Sequence, residues 1–223
     1  MKRPIATRIG TNDLDIYNEV VTQDCYGIKA LSNKFKEKDV RVIDVGAHIG
    51  CFAYAITEYL IGLNSLTYYG LEPYSPNYSI LRNNEEYLHE FSPYTKNLFM
   101  YARNVAVTSS RGHVRLESVD AFNTGMVVFK PCDKSDETVN STGILKVINN
   151  SPVDILKLDC EGAEEQFFEE IPMHLVKNMV GEYHSYGFMR RLVEVFGDDA
   201  NRNLEIIPSP HNKHQGIFRL FSI

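Results

Sequence analysis

Acidic residues and glycines suited to hold a nucleoside ligand stand at the ends of apolar segments in this chain. Asp44, Gly46 and Gly50 end one such segment, Glu72 ends a second, and Asp159 ends a third. The carboxyl ends of parallel strands meet at one edge of a sheet, and open α/β folds bind their ligands at that edge. We therefore expect these residues to share one crevice.

The glycine pair is the first part of that crevice. Gly46 lets the backbone turn tightly after a strand, and Gly50 lets a ligand approach the start of a helix, where unpaired N–H groups favour an anionic group. The spacing Gly-x-x-x-Gly differs from the Gly-x-Gly-x-x-Gly of dinucleotide-binding loops. An ordinary strand-to-helix turn therefore explains the motif equally well.

Glu72 is the second part. It ends the next predicted strand, 22 residues after Gly50. An acidic side chain at this place can accept hydrogen bonds from both hydroxyls of a ribose. A carboxylate in solvent at a strand end is the alternative, and the preceding strand-turn-helix context favours the ribose role.

The elements that must position these residues follow from the apolar pattern. Apolar strand segments alternate with segments of helical periodicity, which predicts βαβ units and a mainly parallel sheet. The predicted parallel strands are 40–45, 66–71, 97–107, 153–158 and 176–183, and 203–207 with 216–221 form a closing antiparallel hairpin. The short alternating apolar pattern of residues 112–130 predicts an antiparallel excursion at the sheet edge. We expect a helical cap over residues 1–38 and one ligand-binding domain over residues 39–223.

Composition limits the class of protein. The chain has 223 residues and a formal net charge of −6, which speaks against general affinity for nucleic acid or anionic membranes. Its four cysteines show no CxxC spacing and are expected to be reduced core residues: Cys25, Cys51, Cys132 and Cys160. No apolar run approaches the roughly 18 residues of a membrane span, and the first eight residues do not resemble a signal peptide. A cytoplasmic location is the default expectation.

Several motifs, in order along residues 40–185, resemble those of the FkbM-type methyltransferases. They are Asp44-Val-Gly46-Ala47-x-x-Gly50, Glu72-Pro73 followed by Pro76-Asn77, Asn104-Val-Ala106-Val107, Lys157-Leu-Asp159-Cys-Glu161-Gly162-Ala163-Glu164, and Glu182-Tyr-His184. The segment Gly10 to Tyr17 is also similar to the one that precedes the core in that family. The resemblance implies a Rossmann-like class I methyltransferase fold with a seven-stranded sheet, and S-adenosylmethionine as the cofactor.

The residues divide among the three parts of S-adenosylmethionine. Asp44 and the amides from Gly46 to Gly50 suit the amino-acid end, Glu72 suits the ribose, and Asn104 with its neighbouring backbone suits the adenine. Ordinary capping and turn hydrogen bonds are the alternative roles of Asp44 and Asn104. The matching motifs extend the predicted cofactor-binding set to Ala47, Pro73, Ala106 and Asp159.

The catalytic candidates lie at the ends of two later strands. Lys157 and Asp159 share one strand face, and a buried lysine needs a partner, which we expect to be Asp159, Glu161 or Glu182. Asp159 and His184 are the candidates for removing a proton from the acceptor, with Lys157 and Glu182 beside them. A lone histidine near the surface is more often simply hydrogen-bonded, but the family motif favours a site role for His184.

A metal ion is the remaining alternative at these strand ends. Asp159, Glu161, Glu182 and His184 offer hard oxygen and imidazole ligands for Mg²⁺. Carboxylate clusters of this kind are more often paired with lysine or arginine. We therefore predict no metal.

The family resemblance thus implies an enzyme that transfers a methyl group from S-adenosylmethionine to a hydroxyl of a sugar, glycolipid or secondary metabolite. The expected partner is a small-molecule or glycan acceptor, not nucleic acid, and the sequence leaves open whether the chain forms a homo-oligomer. The alternatives are an NAD-linked oxidoreductase of Rossmann type and a non-catalytic nucleotide-binding module. The missing third glycine and the run from Lys157 to Glu164 weigh against the oxidoreductase.

Overall fold

The predicted alternation of strands and helices is present in the computed structural model, which describes residues 5–91, 95–109, 112–117, 128–131, 138–212 and 214–223. The strands are β1 (Asp39–Val45), β2 (Leu63–Leu71), β3 (Thr95–Arg103), β4 (Ala106–Thr108), β5 (Gly112–Glu117), β6 (Val128–Pro131), β7 (Thr138–Gly143), β8 (Val153–Leu158), β9 (Val176–Tyr183), β10 (Arg202–Pro208) and β11 (Gly216–Ser222). The α-helices are α1 (Asp13–Tyr17), α2 (Ser32–Phe35), α3 (Cys51–Tyr59), α4 (Ser75–Phe91), α5 (Ile144–Ile148), α6 (Glu164–Phe167) and α7 (Tyr186–Phe196).

Seven of these strands form the main sheet, in the order β10-β11-β9-β8-β1-β2-β3. Strands β3, β2, β1, β8 and β9 pair in parallel, whereas β11 is antiparallel to both β9 and β10. The α/β class, the mostly parallel seven-stranded sheet and the closing antiparallel hairpin are therefore confirmed. Every residue of β8 is buried, as expected for a central strand covered on both faces.

Two apolar clusters cover the two faces of the sheet. On one face, Phe52 and Ile56 of α3 pack with Val42 of β1 and Ile155 of β8. On the other, α5, α6 and α7 pack against the alternate residues of the same strands. Helix α7 is one-sided because its buried residues Phe188, Leu192 and Phe196 recur at helical spacing, and Ser185 caps it by accepting a hydrogen bond from the amide of Phe188 (3.0 Å).

The segment 97–107, which we predicted as one strand, is divided in the structure. Strand β3 ends at Arg103, and β4 starts at Ala106 in a second sheet of order β4-β7-β5-β6. At the break, the side-chain amide of Asn104 donates to the carbonyls of Glu72 (2.9 Å) and Pro73 (2.8 Å). These bonds hold the chain at the point where it leaves the main sheet.

The predicted excursion over 112–130 belongs to this second sheet and not to the edge of the first. Strand β5 pairs antiparallel with β6 and with β7, which agrees with the predicted hairpin pattern. Residues 118–127 of that prediction lie outside the described residues.

The segment before β1 contains α1, a π-helical turn (Asn18–Thr22), a 3-10 turn (Ile28–Leu31) and α2. Its side chains Ile5, Tyr26 and Phe35 are buried in the same apolar cluster as α3. The predicted helices are therefore present, and the division of the chain at residue 38 stays a prediction.

Among the described residues, no helix is both long enough and apolar enough to cross a membrane.

Three of the four cysteines fall within the described residues, and all three are free: Cys25, Cys51 and Cys160. Cys51 is buried, and burial raises the pKa of its thiol to about 12. Cys132 lies outside the described residues.

Candidate active site

A cavity of 310 Å³ opens at the carboxyl edge of the main sheet. Its walls come from the loops that follow β1, β2 and β8, from the first turns of α3 and α4, and from the segment before β1. Leu116 of β5, Lys157 of β8 and Glu182 of β9 complete the lining. Gly46, Glu72 and Asp159 all line it. The predicted convergence of these three residues on one crevice is therefore present.

Gly46 turns the chain at the end of β1 in a way that excludes any side chain. Its φ is +78°, and an added Cβ would stand 1.7 Å from the backbone oxygen of Asp159. Glycine adopts this left-handed backbone without strain, and so close an approach is open only to a residue without a Cβ. The glycine therefore serves the packing of two strand ends as well as the turn.

The backbone amides of this loop are already engaged within the protein. Those of Gly46 and Ala47 donate to the carbonyl of Leu71 (3.0 and 3.1 Å), and that of Gly50 donates to Ala47 (2.9 Å). The amide of His48 donates to Glu72 (2.9 Å). The role that we expected for these amides, binding an anionic group, stays a prediction, and these bonds compete with it.

Glu72 is held as a buried carboxylate at the end of β2. One oxygen accepts from the amide of His48 and the other from the amide of Tyr74 (2.8 Å). Burial raises its pKa to about 7, although both hydrogen bonds act in the opposite direction. Each oxygen keeps a further lone pair for a ligand, in an orientation that the two amides fix.

Lys157 forms the centre of a buried ion-pair network. It lies beside Asp44 in the register of β1 and β8, and its Nζ contacts Asp44 Oδ1 (3.0 Å), the Gly46 carbonyl (2.8 Å) and Asp159 Oδ2 (3.3 Å). Burial would lower the pKa of Lys157, but the charges of Asp44 and Asp159 outweigh it and raise that pKa. Of the three partners that we expected, Asp159 is the one in contact; the pairing with Asp44 was not foreseen.

Asp44 belongs to this ion-pair network but is buried away from the cavity. Its side chain is 0% exposed, and its other oxygen accepts a hydrogen bond from the hydroxyl of Tyr68. Asp44 is not among the residues that line the cavity. Its geometry therefore suits the positioning of Lys157.

Tyr26 joins two carboxylates of the cavity and was missed by the sequence reasoning. Its hydroxyl donates to Asp159 Oδ2 (2.9 Å) and lies 3.5 Å from Glu182 Oε1. The lysine beside Asp159 holds the pKa of that carboxyl below its usual range against the effect of burial. Asp159 therefore stays ionised and hydrogen-bonded from two sides.

The neighbouring carboxyl groups have raised pKa values. The charge of Asp159, together with burial, raises the pKa of Glu182 to about 8. Burial, followed by the charge of Asp159, raises that of Glu161 to about 7. Near neutral pH, Asp159 thus carries the charge and Glu182 the proton, and Glu182 is the group poised to exchange it.

His184 lies behind these carboxylates and does not line the cavity. Its Nδ1 is 2.8 Å from Glu164 Oε1, and its Nε2 is 3.3 Å from Glu161 and 3.6 Å from Glu182. Burial would lower its pKa, but the hydrogen bond and charge of Glu164 raise it to about 9. The imidazole is therefore charged at neutral pH, which argues against His184 as the group that accepts a proton.

The remaining predicted cofactor residues fall on both sides of the cavity wall. Ala47 and Pro73 line it, whereas Gly50, Asn104 and Ala106 do not. Lys157 and Glu182, which were predicted as catalytic residues, line it as well. Asn104 lines a second cavity instead. Its contact with an adenine stays a prediction, and its amide is already bonded to the carbonyls of Glu72 and Pro73.

Two buried polar atoms at the cavity have no hydrogen-bond partner among the described residues. They are Nδ1 of His48 and Oδ1 of Asn77. Burial lowers the pKa of His48 to about 4, so its ring is neutral. Buried polar groups are rarely left unpaired, so these two are suited to contact a bound molecule. Asn77 belongs to a quoted motif, and its place in the first turn of α4 was the available signal.

The charge of the cavity is strongly one-sided. Five of its described lining residues carry a carboxyl group: Glu19, Glu72, Asp159, Glu161 and Glu182. Among the described residues that line the cavity, Lys157 is the one lysine or arginine. The cavity therefore suits a cation that also offers hydrogen-bond donors.

The metal alternative has a geometric basis in the same place. One ligand atom each from Asp159, Glu182 and His184 lies within 4.8 Å of the others. The raised pKa of His184 means that a metal would have to displace its proton. The absence of a metal stays a prediction.

Comparisons with known proteins bear on the family and the fold. The family model described as the methyltransferase FkbM domain matches residues 44–200. The solved structure of methyltransferase FkbM from Methylobacillus flagellatus KT is similar with a TM-score of 0.56 and 13% identity, over 85% of this chain and 46% of that one. This chain thus spans about half the length of that protein.

A second solved structure is similar over nearly its whole length. It is a candidate rRNA-methylase from Clostridium thermocellum, with a TM-score of 0.51 and 10% identity over 91% of this chain and 96% of that one. At these identities the two structures show a shared fold only. No curated protein matches the chain in sequence.

Proposed function

The chain belongs to the family of methyltransferases that share the FkbM domain, and from that membership we propose that it methylates a hydroxyl oxygen of a sugar, glycolipid or secondary metabolite, with S-adenosylmethionine as donor. When bound, this cofactor supplies a methyl group activated by a positively charged sulfur. The chain supplies binding, orientation and a proton acceptor.

The one-sided charge of the cavity is the observation that carries the proposal. S-adenosylmethionine bears a sulfonium, an ammonium and a carboxylate, so it is a cation overall. Five carboxyl groups and one lysine line the cavity, and a bound cation would stabilise the ionised forms of Glu72, Glu161 and Glu182. Binding of the cofactor should therefore release protons near neutral pH.

The same charge disfavours the alternatives. NAD carries two phosphates, and the one lysine of the described lining is already bound to Asp44 and Asp159. Carboxyl groups whose pKa values lie near neutrality are typical of sites that move protons, which favours an enzyme over a non-catalytic module.

The lining residues divide into binding and chemical roles. Glu72 would accept the ribose hydroxyls, and Asn77 offers its unpaired oxygen to a donor on the purine. Glu182 would accept the proton of the acceptor hydroxyl, while Asp159, held by Tyr26 and Lys157, keeps the pKa of Glu182 high enough for this task. His184 would act as a positioning residue.

A hydroxyl acceptor fits these groups best. Carboxyl oxygens and the Tyr26 hydroxyl accept and donate the hydrogen bonds that a polyol offers. The net charge of −6 and the acidic cavity work against a polynucleotide acceptor. The class of acceptor is otherwise carried over from the family.

Calorimetric titration with S-adenosylmethionine and with NAD tests the proposal. We expect binding of the first only, with an observed enthalpy that depends on the ionisation enthalpy of the buffer because protons are released. Tight binding of NAD, or no binding of either compound, would overturn the assignment. Labelled methyl donor incubated with the fractionated small molecules of a cell extract then identifies the acceptor.

Glu72→Gln is expected to weaken binding of S-adenosylhomocysteine by roughly tenfold to a hundredfold, because two charge-assisted hydrogen bonds to the ribose become weaker. Titration of the purified variant measures the change. Glu85→Gln is the matched control, since Glu85 is also buried and accepts a backbone amide, from Ala102 (3.1 Å), but lines the second cavity. Equal affinities of the two variants would remove Glu72 from the binding site.

A further inference from the structure

The second cavity, of 1060 Å³, lies between the β2–β3 edge of the main sheet and the second sheet. Its wall includes Tyr69 of β2 and Tyr101 of β3, whose rings stack at a centroid distance of 5.1 Å and an interplanar angle of 21°. Tyr101 is 42% exposed. The stacked pair therefore presents a flat aromatic surface to the cavity.

The charge of this cavity is opposite to that of the first. Arg41, Arg82, Arg103 and Lys146 line it, against the single carboxyl group of Glu85 among its described lining residues. Glu85 is paired with Arg82 (3.1 Å). The basic cluster is notable because the whole chain carries a formal charge of −6.

Three of the four cations of the cluster have no carboxylate partner among the described residues. Arg103 and Lys146 are exposed and form no ion pair among the described residues. The guanidinium of Arg41 lies 5.4 Å from the ring centroid of Tyr69 and donates to backbone carbonyls, including that of Ser151 (2.9 Å). Backbone carbonyls do not neutralise its charge. Cations and an aromatic surface thus occur together.

We propose that the second cavity binds a small nucleotide, with its phosphates on Arg103 and Lys146 and its base against Tyr101. Arginine and lysine are the residues that bind phosphate, and a base stacks on an exposed aromatic ring. The volume suits one small molecule. The acidic remainder of the chain argues against a polynucleotide in its place.

Uridine diphosphate and adenosine diphosphate are the probes, titrated into the full chain in the presence of saturating S-adenosylhomocysteine. We expect at least one to bind, and Arg103→Ala and Lys146→Ala each to weaken that binding by roughly tenfold. Tyr101→Ala should weaken it by a similar factor because the stacking surface is lost. Arg190→Ala is the matched control, since Arg190 is 62% exposed on α7 and is not among the residues lining either cavity.

Three outcomes would overturn the proposal. The first is no binding of either probe at millimolar concentration. The second is binding that S-adenosylhomocysteine displaces, or that the three variants leave unchanged, because the nucleotide would then occupy another place. The third is a short single-stranded RNA that binds far more tightly with the same dependence on the variants, since the surface would then serve a polynucleotide. Binding of S-adenosylhomocysteine, measured on its own, keeps this question separate from the proposed methyl transfer.

Discussion

Glu182→Gln is expected to lower turnover by about 10²- to 10⁴-fold, the usual contribution of a general base. The amide cannot accept the proton of the acceptor hydroxyl. Glu182 is suited to that task because the charge of Asp159 and burial raise its pKa to about 8. Release of S-adenosylhomocysteine, assayed with the acceptor fraction that the wild-type protein methylates, measures the loss.

The pH dependence separates a base from a merely structural group. Below about pH 8 Glu182 holds its proton, so kcat/KM for the donor should fall about tenfold per pH unit in the wild-type protein. This acid limb should disappear in the variant. Binding of S-adenosylhomocysteine should change by less than roughly threefold, because that product lacks the sulfonium charge.

Glu205→Gln is the control, because Glu205 lies on β10 in an exposed ion pair with Arg219 (2.9 Å). It should retain full turnover and the acid limb. A Glu182→Gln variant with most of its activity and an unchanged pH profile would show that another group accepts the proton.

Lys157→Met is expected to reduce the free energy of unfolding by about 3–5 kcal/mol, because it leaves buried carboxylates without their cation. Lys157 is 3% exposed and contacts Asp44, whose side chain is 0% exposed. Urea denaturation measures the change. Lys177→Met, which breaks an ion pair with Asp154 at a lysine 58% exposed, should cost less than about 1 kcal/mol.

The sign of the pH effect follows from the carboxyl group that is left behind. Burial already raises the pKa of Asp44 in the folded protein, and removal of the lysine raises it further. When the pKa of a carboxyl group is higher in the folded state than in the unfolded state, the free energy of unfolding falls as the pH rises above the unfolded-state pKa, which is about 3.9 for Asp. The deficit of the variant should therefore be small near pH 4 and large at neutral pH. Adding Asp44→Asn should recover part of it, and an unchanged deficit would contradict the pairing.

The sequence predicts the strand ends well because strand ends follow from the apolar pattern. Gly46, Glu72 and Asp159 each stand where an apolar segment stops, and parallel pairing then brings them to one edge. Lys157 was recognisable for a related reason, since a charge inside an apolar strand demands a partner. Its second partner required the register of β1 and β8, which periodicity does not contain.

Other site residues depend on contacts that no local pattern encodes. Tyr26 reaches Asp159 across 133 positions of the chain from a segment of short, irregular helices. Asn104 was assigned to a ligand from its place after a strand, and that role stays a prediction; the bonds of its amide to two backbone carbonyls could not be read from any local pattern. His184 follows β9 as expected, but the buried carboxylate of Glu164 raises the pKa of its ring and keeps it charged. The sequence did not indicate that this carboxylate is buried beside the ring.

Glu19 and Tyr26 line the cavity but lie before the region that matches the family model. The folded unit is therefore longer than the matched region. The stretch that matches the family begins at residue 44, inside β1, and stops at residue 200, before β10 and β11. A recombinant fragment trimmed to that stretch would lack β10, β11 and most of β1, and it would open the crevice to bulk water on one side. Gene fusions and truncations designed for this family are safer when their borders follow the burial of Ile5, Tyr26 and Leu220.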